Sequence, residues 1–319
     1  MIVKRLQQPN TGIPSWDPEC LVERCCPFCG DDGAAHCTRP DGLTVRSCAT
    51  CGAFFVSPAP NEAELRALYA TYSDRHSRGT KPRPRAVLHA RPWDDFRIVE
   101  IASHVGLDGA RVLDVGCAWG TLLKRFEKLG AHAAGIDLDP DAVRFAQNEI
   151  GLSTATVGTL DDISPGEFFD VVCMFDFIEH PLDPLRQIER AVALLAPRGI
   201  IAIWTPNASS AHDEQEPVVF NVDLEHLQYL SMQTCQWLAR KLDLQILHLE
   251  SVGFPHLNGI REQHGRNGDH GIIAALRHIA RGLPGSHVLR AIGRGVLRMR
   301  IPDPRRGTYH LFCIFRKGG

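Results

Sequence analysis

The run VLDVGCAWG, residues 112–120, decides the fold. Val112, Leu113 and Val115 surround an acid, Asp114, in a stretch short enough for a buried strand. Gly116, Ala118 and Gly120 then follow at alternate positions. Small residues so placed let a chain turn sharply and bring its backbone close to a ligand, and the helix beyond offers its first amides.

Reading outward, GIDLDP (135–140) ends the next apolar stretch on Asp137, where a carboxylate can grip both hydroxyls of a ribose. The surrounding pattern alternates. A helix is predicted near 94–105, a strand at 111–115, a helix over 119–129 and a strand at 132–137. A helix over 139–149, strands at 154–158 and 169–175, a helix over 182–196 and a strand at 199–205 follow. Such alternation specifies an α/β fold with a parallel sheet whose strand ends carry the ligand. LQILHLESVG and YHLFCIFRK read as two final strands with no crossover helix required between them. A dinucleotide reductase is disfavoured, because Gly116-Cys-Ala-Trp-Gly lacks the G-x-G-x-x-G spacing its pyrophosphate needs.

Upstream, six cysteines crowd into residues 25–51 of a chain that holds eleven. Cys26-Pro-Phe-Cys29-Gly and Cys48-Ala-Thr-Cys51-Gly are two tight knuckles at the separation of a four-thiolate zinc ribbon. Cys26, Cys29, Cys48 and Cys51 are therefore the expected ligands of a structural zinc, with Cys25 and Cys37 as alternates. Arg39 and Arg46 are balanced between the knuckles by Asp31, Asp32 and Asp41, so nucleic acid is not an expected partner. NEAELRALYATYSD reads as an amphipathic helix capped by Asn61, with Leu65, Leu68 and Tyr69 on one face. The proline-broken stretch 74–92 reads as a linker.

The 319 residues carry a net charge of −2, yet 256–307 hold ten arginines against Glu262, Asp269 and Asp303. Two amphipathic basic helices are expected there, as packing, as a lid over an anionic or carrier-linked acceptor, or for membrane-surface docking through 271–300. MIVKRLQQPN has no apolar core and no run is long enough to span a bilayer, so a cytoplasmic protein is expected.

VLDVGCAWG, GIDLDP, FDVVCMFDFIEHPLDP and LLAPRGIIAIWTPN resemble the ordered motifs of class I S-adenosylmethionine-dependent methyltransferases. The chain is most similar to the bacterial group with a zinc ribbon ahead of the catalytic domain. The resemblance implies a Rossmann-like seven-stranded sheet over 93–319, a ribbon module over 1–60, and a helix and linker over 61–92. It places Asp114 and Gly116 near the methionine of the cofactor, Asp137 on the ribose, Leu138 on adenine and Leu160 at the adenine edge. Ala118 and Gly120 form the turn, Ala118 standing where glycine is more usual, and Asp176 lies at the rim of the donor pocket. Trp119 is unusual in this turn and is expected against the donor or the acceptor pocket.

FDFIEHPLDP, residues 175–184, leaves three roles open. His180 can be a base for a hydroxyl acceptor. Asp176, Glu179 and His180 can hold a divalent cation, since quinone-biosynthesis O-methyltransferases carry E-x-x-E-H here where this chain has D-x-x-E-H. The run can also be scaffold. His226, in DLEHLQYLS ahead of a helix capped by Ser231, is the second base candidate, and Tyr69 and Tyr72 can close over the donor or pack in the core. The resulting expectation is methyl transfer to a small-molecule or carrier-linked acceptor, oxygen ahead of carbon or nitrogen, in specialised or polysaccharide biosynthesis. Methylation of RNA or protein, and a non-catalytic nucleoside-binding role, are the alternatives.

Overall fold

The computed structural model describes residues 16–69, 81–164, 166–212, 219–221, 223–253 and 307–318. Its strands are β1 (Leu21–Val22), β2 (Ala34–Thr38), β3 (Thr44–Ser47), β4 (Phe54–Val56), β5 (Ala59–Pro60), β6 (Arg111–Val115), β7 (His132–Asp137), β8 (Ala155–Val157), β9 (Phe169–Phe175), β10 (Leu195–Pro206), β11 (Gln228–Tyr229), β12 (Leu244–Val252) and β13 (His310–Lys317). The helices are α1 (Glu62–Tyr69), α2 (Pro84–His89), α3 (Phe96–His104), α4 (Thr121–Glu127), α5 (Pro140–Ile150), α6 (Pro184–Ala193) and α7 (Met232–Lys241).

The main sheet runs β12-β13-β10-β9-β6-β7-β8. Strands β10, β9, β6, β7 and β8 pair in parallel, while β13 lies antiparallel between β10 and β12. The reason is visible in the residues. Val112 to Val115 and Val171 to Phe175 are buried throughout, as strands covered by helices on both faces must be. Leu123 and Phe126 of α4 pack in one apolar layer with Ile98, Ile101 and Val112; Ile188 and Ala191 of α6 pack in the other with Leu113 and Val172.

Three element boundaries differ from the sequence reading. Strand β10 begins at Leu195, paired with Phe169, inside the stretch read as the end of a helix over 182–196. Helix α4 starts at Thr121 rather than 119, because Ala118 (φ 43°) and Gly120 (φ 74°) are left-handed and cannot be helical. Within the expected linker, Pro84 opens α2, and Val87 is 2% exposed in the core with Phe126 and Val143.

The cysteine segment builds a second sheet, ordered β11-β4-β3-β2. Its fourth strand comes from far along the chain: Gln228 and Tyr229 pair antiparallel with Phe55 and Phe54. The four cysteine positions also share one apolar cluster with Leu230, Cys235 and Leu238 of the large domain. Among the described residues no helix is long and apolar enough to cross a membrane.

Candidate functional site

At the carboxyl end of β6 the chain turns through Gly116 (φ 79°), Ala118 and Gly120, and the Gly116 and Cys117 amides donate to Ile136 O, tying the turn to β7. Asp137 ends β7 with its carboxylate over this turn: Ala118 N donates to Oδ2 at 2.8 Å and Asp139 N to Oδ1 at 2.8 Å. Each oxygen keeps acceptor capacity for a hydroxyl donor. Leu138 beside it is 61% exposed, an apolar surface at a strand end where a flat ring can lie. A Cβ on Gly116 would stand 3.2 Å from Phe177 Cδ2, so the turn already lies close against the β9 exit. These carboxylate, glycine and apolar positions fit a nucleoside-bearing cofactor.

Asp114, 3% exposed beneath the turn, is pushed up to about 7 by burial and then by the neighbouring Asp137 charge, with Arg97 opposing. Leu160 is 1% exposed in the core with Leu113 and Ile136, so its side chain packs the sheet and only its backbone can face the adenine edge. Trp119 is engaged too, edge-on to Phe145 at 5.4 Å with Lys81 Nζ 5.5 Å from its ring centre.

Beyond β9, Asp176 (φ 50°) is exposed and its amide donates to Trp204 O. The next two ionisable residues turn inward. Glu179 is fully buried; Thr205 Oγ1 donates to its Oε2 at 3.0 Å, while Oε1 is buried with no hydrogen-bond partner. Burial, and then the Asp176 charge, raises the Glu179 carboxyl well above its ordinary value. His180 Nδ1 lies 2.9 Å from Tyr69 Oη, and its ring meets the His226 ring edge-on at 4.8 Å. Burial pushes His180 down to about 4 and His226 well below its ordinary value, so both imidazoles are neutral at pH 7.

The structure therefore joins both candidate bases, which lie far apart in sequence, in one place. Ligating atoms of Glu179, His180 and His226 all lie within 4.8 Å of one another, and Asp176 does not join that group. Of the three residues read from the sequence as a possible cation set, Glu179 and His180 lie in this group together with His226, and Asp176, at a left-handed backbone position (φ 50°), lies outside it. Tyr69 is placed at this cluster, not over the β6 turn. Tyr72 and the basic stretch 256–306 lie outside the described residues.

The four knuckle cysteines converge. Cys26 and Cys51 sulfurs are 3.5 Å apart, Cys29 and Cys48 sulfurs 3.3 Å, and all four lie within 4.8 Å of one another. A tetrahedral zinc with bonds of about 2.3 Å spaces its sulfurs by about 3.8 Å, so the donor set fits that ion. The sulfur contact between Cys26 and Cys51 lowers Cys26 to about 5 and raises Cys51, and burial raises Cys29 to about 11, so the four thiols do not ionise together without a cation among them; a metal would take all four as thiolates. Cys25 is exposed and pairs with Asp32, outside the cluster.

Arg39 was missed as a functional residue, since its charge is cancelled locally in the sequence. It is 2% exposed, paired with Asp41, and reaches across to the loop before β11: Nη1 donates to His226 O at 2.5 Å and to Tyr229 Oη at 3.1 Å, and Nη2 to Leu224 O at 2.6 Å. Arg97, on α3, was missed as well. It pairs with Asp95 and covers the faces of Phe175 and Trp204 at 4.6 and 5.2 Å. Each has its ion-pair partner two residues away, which in the sequence reads as a local charge balance; the contacts to Leu224, His226 and Tyr229, and to the Phe175 and Trp204 rings, are long-range.

Residues 87–249 match the family model described as a methyltransferase domain, about half of the chain. The chain belongs to this methyltransferase family. The methyltransferase domain is of the class I, S-adenosylmethionine-dependent type, with the sheet order found here. A ubiquinone biosynthesis O-methyltransferase of Xanthomonas campestris pv. campestris (strain B100) is 37% identical over 135 residues, 40% of this chain and 55% of that protein. The corresponding enzyme of Methylococcus capsulatus is 37% identical over 129 residues, 38% of this chain and 53% of that protein. The chain thus spans about half the length of the curated relatives it matches. Among solved structures, the Burkholderia thailandensis 1,6-didemethyltoxoflavin-N1-methyltransferase is similar with a TM-score of 0.50 at 14% identity, covering 90% of this chain and 100% of that one. At that identity the methyltransferase likeness is one of fold alone.

Proposed function

We propose that this methyltransferase moves a methyl group from S-adenosylmethionine to a hydroxyl of a small-molecule or carrier-linked acceptor. The observation that carries the reading is the pair of neutral, touching imidazoles, His180 and His226, at the carboxyl edge of the sheet. The donor, when bound, supplies an electrophilic methyl on a sulfonium. Asp137 holds the ribose hydroxyls, Leu138 backs the adenine, Gly116, Ala118 and Gly120 give the backbone approach, and Asp114 sits near the methionine. His180 Nδ1 and Tyr69 Oη share a hydrogen bond at 2.9 Å; in the tautomer protonated at Nδ1, Nε2 is the lone pair that takes the acceptor proton. His226 packs the ring that does so. Names of relatives that methylate oxygen support the choice of acceptor atom.

The same groups support a second reading, a divalent cation held by Glu179, His180 and His226 that acidifies the acceptor hydroxyl, because Glu179 Oε1 and His226 Nδ1 are both buried without partners. A structural zinc on Cys26, Cys29, Cys48 and Cys51 completes the proposal, and reduced thiols suit a cytoplasmic setting. The resemblance to the ribbon-bearing group supports a role in specialised or polysaccharide biosynthesis.

The test is calorimetric binding of S-adenosylhomocysteine together with turnover on catechols and hydroxylated sugars. His180→Ala is expected to keep donor affinity and to lower kcat by about a hundredfold or more. Turnover untouched by that substitution would return FDFIEHPLDP to scaffold, and turnover abolished by a chelator with zinc still in place would select the cation. Salt-sensitive RNA binding would point to RNA methylation instead.

A further inference from the structure

One buried side chain, Arg39, reaches from the end of β2 to the loop that carries His226. We propose that Arg39 is a positioning residue for the acceptor side of the methyltransferase site, fixing from the cysteine sheet the loop that aims the His226 ring at His180. The proposal rests on the reading above that this histidine pair serves the acceptor.

A buried guanidinium is costly unless its donors are used, and here they are used on Asp41 and on the segment of Leu224–Tyr229. Nε and Nη2 engage the Asp41 carboxylate, whose side chain is wholly buried, and Trp16 Nε1 donates to the same carboxylate at 2.9 Å. The remaining donors take the carbonyls of Leu224 and His226 and the Tyr229 hydroxyl, so one rigid fork brackets the loop on both sides of Glu225. A lysine has no such span.

The bracketed loop is also stitched elsewhere. Leu227 N donates to Glu179 O and Val56 N to Leu227 O, each at 2.8 Å, and Arg24 Nη2 donates to Gln228 Oε1 at 3.0 Å. Gln228 Nε2 in turn donates to Ile178 O and Pro181 O, both at 2.8 Å, on either side of Glu179 and His180. The segment of Ile178–Pro181 and the segment of Leu224–Tyr229 are thus held as a unit against the cysteine sheet. None of these contacts involves the β6 turn or Asp137. Arg39 therefore sets the acceptor side while the donor side stands on its own.

Arg39→Met alone would leave Asp41 buried without its cation, so the test uses full-length Arg39→Met/Asp41→Asn beside Arg39→Lys, which keeps the charge and loses the fork. Both are expected to bind S-adenosylhomocysteine within about twofold of the parent. In the double variant, amide exchange at His226 and Leu227 should rise by about tenfold or more, and ethoxyformylation of the His226 ring, read by mass spectrometry, should accelerate; Arg39→Lys should give intermediate values. Unchanged exchange and unchanged His226 reactivity in either variant that retains donor binding would overturn the proposal. If the double variant does not bind the donor, Arg39→Lys decides by the same two readouts. His226→Ala separates the two claims. Full turnover in that variant removes His226 from the acceptor chemistry, whereas the loosening caused by Arg39 substitution would still stand.

Discussion

At Gly120 the backbone is left-handed, and an added Cβ would collide with Leu152 Cδ1 and stand 3.1 Å from Ala146 Cβ. Gly120→Ala is expected to destabilise the protein by about 2–4 kcal/mol, from backbone strain and overpacking together, as a lowered denaturant midpoint will show. Ala118, left-handed as well, already carries part of that strain at a position with no collision to add. Asp114 titrates in the working range. Its folded value, about 7, lies above its ordinary one, so its contribution to stability is present at acid pH and is lost as pH rises through about 7. The ionised form is the one that attracts a sulfonium and an ammonium. Affinity for S-adenosylmethionine should therefore rise between about pH 6 and 8, by up to about tenfold per unit, and Asp114→Asn should flatten the curve measured by calorimetry.

Among the elements, β11 has the largest consequence for its length. Two residues, Gln228 and Tyr229, close the cysteine sheet, so the knuckles and the His226 loop share one hydrogen-bonded layer. Cys48 and Cys51, 3% and 0% exposed, pack in the cluster that contains Leu230 and Cys235. Cys48→Ser/Cys51→Ser should abolish the proposed zinc binding, seen by metal analysis beside the parent, and lower Tm by about 10 °C. The long strands were legible, because β6, β9 and β10 are nearly continuous apolar runs. A two-residue strand has no periodicity to read, and α2 was hidden because its proline and arginines resemble a linker while Val87 is its one buried side chain.

Across the whole molecule, the basic segment joins two residues that are already neighbours, since Val252 pairs directly with His310. Replacing 254–306 by a turn of about six residues should leave the β12-β13 hairpin closed, since its end residues are already paired. S-adenosylhomocysteine binding should survive the replacement. Turnover that falls in such a protein, with donor affinity retained, assigns the arginine-rich segment to the acceptor.

The sequence by itself determined the class of sheet, the glycine turn with Asp114 and Asp137, and the pairing of the cysteine knuckles, because each depends on spacing within one short stretch. Only the tertiary structure decided that His180, His226 and Tyr69 meet. It likewise decided that Asp176 lies outside the group of Glu179, His180 and His226, that Leu160 is core, and that Arg39 holds the loop from another sheet. Those relations are made by contacts between residues up to 190 positions apart. Local pattern carries no record of such contacts, since what fixes them is the burial of partners that the chain brings together only on folding.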